Sequence, residues 1–168
     1  MIRFYKLILL LPLLSIHQVG ALPSDSEQLI QFQSDRFEMD EIRRTQTYSG
    51  AVEMIQGSMK ILADKVIIIR EDNRVARIIA TGQPARYSQV ARPGEEPIQA
   101  SARRMEYDVE SKNLQLLEEA FIVQKGSSLS GNRINYDVKR ALVKAEGKQQ
   151  GGADDRVRMI IPPADKEE

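Results

Sequence analysis

The sequence predicts an all-β protein, built from many short antiparallel strands that stack like a ladder folded along a line of corners. Three observations support this fold class. Apolar and polar residues alternate over short runs, which is typical of half-buried strands. One short phrase recurs four times. Beyond the first 21 residues, we find no amphipathic helix of ten residues or more.

The recurring phrase reads small, polar, basic, apolar, any residue, then apolar or aromatic. Its copies begin at Ser34, Ala63, Ala102 and Gly131, so that successive copies are offset by 29, 39 and 29 residues. A period of this size indicates one supersecondary unit used repeatedly, since a single copy cannot bury its apolar face alone.

The second copy shows what the phrase does. Ala63 and Val66 are three residues apart, so they cannot lie on one face of a straight strand. We therefore predict a bulge or corner at Asp64-Lys65. On either side of such a corner, the apolar side chains can turn into one crease.

In chain order, residues 1–21 have the pattern of an export signal. Arg3 and Lys6 precede a short apolar core, and Val19-Gly20-Ala21 supplies small residues for cleavage after Ala21. The apolar run is shorter than the roughly 20 residues of a membrane span. We expect the mature chain to be exported to a bacterial periplasm, where a protein without cysteine must rely on packing.

Residues 22–28 are predicted to form a loose N-terminal arm, residues 29–162 the β domain and residues 163–168 a disordered tail. We expect the first strand at Leu29–Gln33 and the last at Arg156–Ile161. Gly82-Gln83-Pro84 is expected to break a strand. Turns or loops are predicted at 71–73, 92–97, 110–113, 137–140 and 146–155.

Composition excludes several classes of chemistry. The chain has no cysteine, and its only histidine, His17, lies in the predicted signal, so the mature chain lacks the residues of Ser-His-Asp and Cys-His sites and of nearly all zinc sites. Loss of residues 1–21 removes two basic residues and no acid, which leaves 22 basic and 24 acidic residues, a net charge of −2. This balance argues against nucleic acid as a partner.

The corners predict a set of inward-facing side chains. These are Ile61, Ala63, Val66, Ile68, Ala85, Tyr87, Met105, Tyr107, Phe121, Val123, Leu129, Ile134 and Tyr136. One interpretation is an ordinary sandwich core. The other is a crease that can open for fatty chains, because large rings are scarce and flexible side chains adapt to irregular apolar ligands.

Four segments together resemble the OstA-like (LptA) family of periplasmic lipopolysaccharide transport proteins. They are residues 30–35, 50–52, 56–66 and 82–85, and the similarity extends over about residues 29–162. The resemblance implies a twisted, V-shaped slot (a β-jelly roll) without catalytic residues, metal or cofactor. It implies that the slot carries lipid A acyl chains from an LptC-like inner-membrane subunit to an LptD-like outer-membrane subunit.

The resemblance also assigns individual positions. Ile30 and Phe32 match apolar residues at the slot mouth, and Tyr87 and Tyr107 match aromatic lining positions. The first and last strands have unpaired edges, which could join copies end to end. The loop at 147–155 is longer than the family pattern.

Three alternatives remain open from the sequence. The chain could be an LptC-like subunit tethered to the inner membrane, or a periplasmic β scaffold without lipid binding. It could also be a glycan-cleaving enzyme that uses the paired carboxylates at 95–96 or 118–119.

Overall fold

In the part of the chain that the structure describes, six long strands form the body of one ten-stranded antiparallel sheet. The structure, a computed structural model, describes residues 25–90, 94–148 and 156–163. After a 3₁₀ helix at Asp25–Glu27, the strands are β1 Gln31–Gln33, β2 Arg36–Asp40, β3 Thr45–Gln56, β4 Met59–Glu71, β5 Arg74–Gln89, β6 Ile98–Asp108, β7 Asn113–Gln124, β8 Ser127–Asp137, β9 Leu142–Glu146 and β10 Arg158–Ile160. The predicted all-β antiparallel fold is confirmed, while the predicted signal and residues 164–168 lie outside the described ranges.

Strands β3 to β8 pair in sequence order, and both ends of the sheet are split. At one end, β1 and β2 each pair with part of β3. At the other end, β9 and β10 each pair with part of β8. We call β1 and β2 the N-terminal edge, and β9 and β10 the C-terminal edge.

The recurring phrase lies at a corner in every copy, as predicted. The first copy joins β1 to β2, and the others lie inside β4, β6 and β8. Pairing registers shift at each corner, for example between Leu62 and Lys65 in the β4–β5 ladder. The strands that lack the phrase carry the extra residues there, one in β3 and β7 and two in β5.

At the corners of β3 and β7, the bulge residues adopt a backbone conformation that glycine favours. Gly50 and Ala51 in β3 have φ of 83° and 44°, and Glu118 and Glu119 in β7 have φ of 61° and 54°. Positive φ at a bulge turns the strand sharply. A side chain at Gly50 would also collide with the carboxylate of Asp35.

The corners divide the sheet into two half-sheets. The first comprises residues 31–33, 52–56, 59–63, 85–89, 98–102, 120–124, 127–131 and 158–160, and the second comprises 36–40, 45–49, 65–71, 74–81, 104–108, 113–117, 133–137 and 142–146. Buried apolar side chains of both half-sheets form one cluster. The two half-sheets therefore face each other across a shared core.

Several predicted boundaries were wrong. Leu29 lies outside β1 and is exposed, and β10 covers only residues 158–160 of the predicted last strand. Residues 82–84 bend β5 without ending it. Residues 25–28 are not loose, because the Asp25 carboxylate accepts three hydrogen bonds from the β domain.

Candidate functional site

The inward side chains line up in straight rows that cross the whole sheet. In the first half-sheet one row runs Phe32, Met54, Ile61, Tyr87, Ala100, Ile122, Leu129, Met159. In the second, one row runs Phe37, Tyr48, Val66, Ala80, Met105, Leu116, Ile134, Ala145. Another runs Met39, Gln46, Ile68, Ile78, Tyr107, Leu114, Tyr136, Val143. All but one of these 24 residues are apolar or aromatic, so the crease is an apolar band from edge to edge.

Most predicted site residues lie in this band. Ile61, Val66, Ile68, Ala85, Tyr87, Met105, Tyr107, Ile134 and Tyr136 are buried. Ile30, Phe32, Ala63 and Leu129 are half-buried and pack against the buried cluster. The side chains fill the crease in this conformation.

Phe121 and Val123 were wrongly predicted to face inward. Phe121 is 39% exposed, and with Leu62, Arg86 and Val123 it lines a groove of about 380 Å³ on the outer face. The inward residues of β7 are their neighbours Ala120 and Ile122. A one-residue slip in register moves every side chain to the opposite face.

The sequence prediction missed twelve buried apolar residues. They are Val52, Met54, Met59, Ile78, Ala80, Ile98, Ala100, Ala102, Leu114, Leu116, Ala120 and Ile122. For most of them, the alternation with period two on each side of a corner was a sufficient signal. The small residues Ala80, Ala100 and Ala102 carry too weak a signal, and only their partners across the sheet identify their face.

The N-terminal edge ends the band with an aromatic cluster. The rings of Phe32 and Tyr48 stack at a centroid distance of 3.9 Å and an interplanar angle of 7°. This stack joins the two half-sheets, because Phe32 belongs to the first and Tyr48 to the second. Phe37 contacts Tyr48 at 5.0 Å and remains 53% exposed.

The C-terminal edge is also apolar on its inner side. Val143 and Ala145 of β9 are half-buried and pack against the buried cluster. Met159 of β10 continues the row of Leu129 and is 60% exposed. The band thus ends at both edges in apolar side chains that nothing within the described residues covers completely.

Asp25 connects the N-terminal 3₁₀ helix to the first half-sheet. Its carboxylate accepts hydrogen bonds from the Ser58 backbone N–H at 2.7 Å, the Ser58 hydroxyl at 2.6 Å and the Gln89 side-chain amide at 2.7 Å. Gln89 in turn accepts a hydrogen bond from the buried Tyr87 hydroxyl. Burial raises the pKa of Asp25, but these hydrogen bonds and the charge of Lys112 outweigh it and hold the pKa below 3.8.

Tyr87 and Tyr107 of the crease stay neutral at physiological pH. Burial, together with the charges of Asp25 and Asp108, raises the pKa of Tyr107 to about 12. Burial also raises the pKa of Tyr87 well above 10. The crease therefore presents uncharged rings and aliphatic groups to any occupant.

Neither carboxylate pair is arranged as an acid–base centre. Glu118 and Glu119 are exposed at the β7 bulge, and Glu119 forms an ion pair with Arg103 at 2.7 Å. Glu95 forms an ion pair with Lys125 at 3.2 Å. In the described ranges, no three potential ligands are grouped to hold a metal ion, and no helix is long and apolar enough to cross a membrane.

Comparisons with known proteins agree with this arrangement. The family described as "LptA/(LptD N-terminal domain) LPS transport protein" matches residues 31–141. The lipopolysaccharide export system protein LptH of Pseudomonas aeruginosa is 32% identical over 150 residues, which cover 87% of this chain and 86% of that protein. LptA of Escherichia coli K12 is 30% identical over 148 residues, 86% of this chain and 76% of that protein.

A solved structure gives the same result. The crystal structure of Pseudomonas aeruginosa LptH, described as the LptA homologous periplasmic component of the conserved lipopolysaccharide transport device, superposes with a TM-score of 0.77. The match covers 84% of this chain and all of that chain, at 31% identity. Sequence and fold together show that this chain belongs to the LptA/LptD N-terminal domain family of lipopolysaccharide transport proteins.

Proposed function

We propose that this protein is a non-enzymatic periplasmic carrier that binds the lipid A acyl chains of lipopolysaccharide between its two half-sheets. In this role it receives lipopolysaccharide from an LptC-like inner-membrane subunit and passes it to an LptD-like outer-membrane subunit. Copies of the chain join end to end through their edge strands, so that the apolar band continues from one copy to the next. The observation that carries the proposal is the apolar band, which runs from the N-terminal to the C-terminal edge and is incompletely covered at both.

The driving force for such binding is the burial of hydrocarbon. Transfer of each CH₂ group from water is worth about 0.8 kcal/mol, so one acyl chain of a dozen carbons contributes roughly 10 kcal/mol before the costs of binding. Those costs include separation of the packed side chains. Met54, Met59 and Met105 are suited to this, because unbranched thioethers adapt to irregular surfaces.

The rows also suit movement along the band. Each strand presents similar inward residues to its neighbour, so an acyl chain would meet similar contacts at successive strands. A ligand that binds neighbouring positions with similar free energy can shift between them without a deep trap. The protein then needs no catalytic group, and the energy for directed transport enters through its partners.

The contacts that close the crease at the N-terminal edge indicate where it opens. The Phe32–Tyr48 stack joins the half-sheets at the N-terminal edge, and the hydrogen bonds of Asp25 hold the 3₁₀ helix on the first half-sheet. Both contacts are partly exposed. We propose that they separate when an acyl chain enters, whereas the corners remain fixed.

Photo-crosslinking in the living bacterium tests the proposal. A photoreactive residue is placed at Phe32, at Tyr87 or at Ile122, and lipopolysaccharide adducts are detected after irradiation. We expect adducts at all three positions, because all three lie in one inward row.

The matched controls are Phe121, adjacent to Ile122 on the outer face, and Lys60, which is exposed beside Ile61. Adducts are expected at neither control position. If Phe32, Tyr87 and Ile122 gave no adduct in folded, exported protein, the band would be an ordinary core, and a scaffold without lipid binding would replace the carrier. N-terminal sequencing separates the tethered alternative, since a free carrier begins at Leu22.

A further inference from the structure

We infer that the end-to-end junction between copies has one fixed register, in which β9 of one copy pairs with β2 of the next through the ion pairs Glu146–Arg36 and Lys144–Glu38. In the same register, β10 pairs with β1 and places Met159 opposite Phe32. The inference rests on the proposed function, in which the apolar band continues between copies. It specifies which residues face each other across the junction.

Strand direction permits the junction. Every pairing in the sheet is antiparallel, and six long strands separate the two edges. Because that number is even, β2 and β9 run in opposite directions. A second copy placed beside the C-terminal edge in the same orientation therefore extends the sheet with another antiparallel pairing.

The hydrogen-bonding phase also matches. In an antiparallel sheet, the N–H and C=O of one residue point to the same neighbouring strand, so hydrogen-bonded and non-hydrogen-bonded pairs alternate along a row. Seven pairings connect Phe37 to Ala145. Because seven is odd, Phe37 and Ala145 are equivalent at their free edges: the backbone N–H and C=O groups of both point outward to a neighbouring copy, or those of both point inward. They can consequently form an eighth pairing without a shift.

The rows give the same answer in both half-sheets. If each row continues straight across the junction, with no displacement along the strands (the unsheared register), Phe37 lies opposite Ala145 and Met39 opposite Val143 in the second half-sheet. In the first half-sheet, the unsheared row places Phe32 opposite Met159. Each inward pair combines apolar side chains, so one register continues the band across the junction.

The outward side chains then select this register among those allowed. Arg36, Glu38, Lys144 and Glu146 are all exposed on the edge strands. In the unsheared register, Arg36 faces Glu146 and Glu38 faces Lys144, which are two attractive pairs. Opposite charges directly across an antiparallel pair stabilise it, and like charges destabilise it.

Registers displaced by two residues keep the same inward face but lose this complementarity. A displacement in one direction sets Arg36 opposite Lys144. A displacement in the other sets Glu38 opposite Glu146. Each displaced register therefore contains a like-charge pair, and displacements by one residue would expose the apolar row.

Cysteine crosslinking tests the register directly, because the chain has no cysteine of its own. The variant Glu38→Cys is mixed with Lys144→Cys under mild oxidation, and covalent dimers are measured on non-reducing gels. The two edges of one chain are seven strand spacings apart, about 34 Å, so a bond joins two copies. Control mixtures pair Glu38→Cys with Leu142→Cys or with Glu146→Cys.

We expect the Lys144→Cys mixture to form dimers about tenfold faster than either control, since only directly facing residues meet disulfide geometry. Faster dimerisation with either control, equal rates in all three mixtures, or no dimer would overturn the register. As a second measurement, Glu38→Lys should weaken self-association, and mixing it with Lys144→Glu should restore it. Lipopolysaccharide adducts at Ile122, measured in the same variants, report on the slot independently of the junction.

Discussion

Asp25 concentrates three hydrogen bonds on one carboxylate and so fixes the start of the fold. We predict that Asp25→Asn lowers the free energy of unfolding by about 1 kcal/mol at neutral pH, a value kept small because the carboxylate is largely solvated. Burial raises the pKa of Asp25, but the hydrogen bonds outweigh it, and the pKa is lower in the folded than in the unfolded chain. The ionised group therefore stabilises the fold above pH 3.8, and this contribution is lost as pH falls below that value.

Urea unfolding of the natural chain and of Asp25→Asn, at neutral pH and at about pH 3, checks this. The difference between them should shrink at the lower pH. A difference that stays constant with pH would mean that the carboxylate contributes through shape and not through charge.

Ile122 and Phe121 are neighbours with opposite environments, 6% and 39% exposed. We predict that Ile122→Asp destabilises the protein by about 3 kcal/mol or more, because it buries an unpaired charge. Phe121→Asp should cost less than about 1 kcal/mol, since its side chain lies on the outer face. Thermal unfolding followed by circular dichroism compares the two, and a larger loss for Phe121→Asp would reverse the assigned faces.

The error at Phe121 shows what the sequence could not determine at the scale of single residues. Residues 51–58 and 120–127 look alike, and that alignment sets Phe121 beside the inward Val52. In the structure, the two bulge residues Glu118 and Glu119 take the place of Gly50 and Ala51, so Val52 corresponds to Ala120. Nothing local marks two glutamates as residues with positive φ.

The bulges give a prediction for whole strands. Glu118 has a φ of 61°, which costs a residue with a side chain about 1 kcal/mol relative to glycine. Glu118→Gly should therefore stabilise the protein by up to about 1 kcal/mol at the β7 bulge. Gly50→Ala at the equivalent position of β3 should destabilise it, because the new side chain collides with Asp35.

Chemical denaturation of Glu118→Gly and Gly50→Ala measures the change in the free energy of unfolding of each variant. We expect an increase for Glu118→Gly and a decrease for Gly50→Ala. Destabilisation by Glu118→Gly would indicate that its side chain contributes more than the backbone strain removes. Glu119 is the less suitable position, since it is paired with Arg103.

The corners were predictable at this scale, while the length of the strands was not. The odd spacing between Ala63 and Val66 identified one corner, and recurrence of the phrase identified the other three. The same interruption suggested short separate strands, because the alternation of apolar and polar residues is broken at each corner. Backbone pairing resumes on both sides of every bulge, so β4 to β8 each run 11 to 16 residues through their corners.

At the scale of the molecule, the repeat sufficed to predict an antiparallel stack, because each unit needs a neighbour to bury its apolar face. The split edges were not predictable in the same way. The sequence marked Leu29–Gln33 and Arg156–Ile161 as edge strands, but β2 and β9 supply the other half of each edge. The position of β2 and β9 at the edges depends on how every strand between them pairs with its neighbour. No short stretch of sequence contains that information.

The strand count has a consequence for how such a chain can change in length. Inserting or deleting one strand would make both edges run in the same direction, and identical copies would then meet as parallel strands with the wrong hydrogen-bonding phase. Adding or removing a whole hairpin of two strands restores both the antiparallel direction and the matching hydrogen-bonding phase. Longer or shorter variants that still join end to end must therefore differ by even numbers of strands, so that the hairpin, and not the single strand, is the unit in which this molecule can grow.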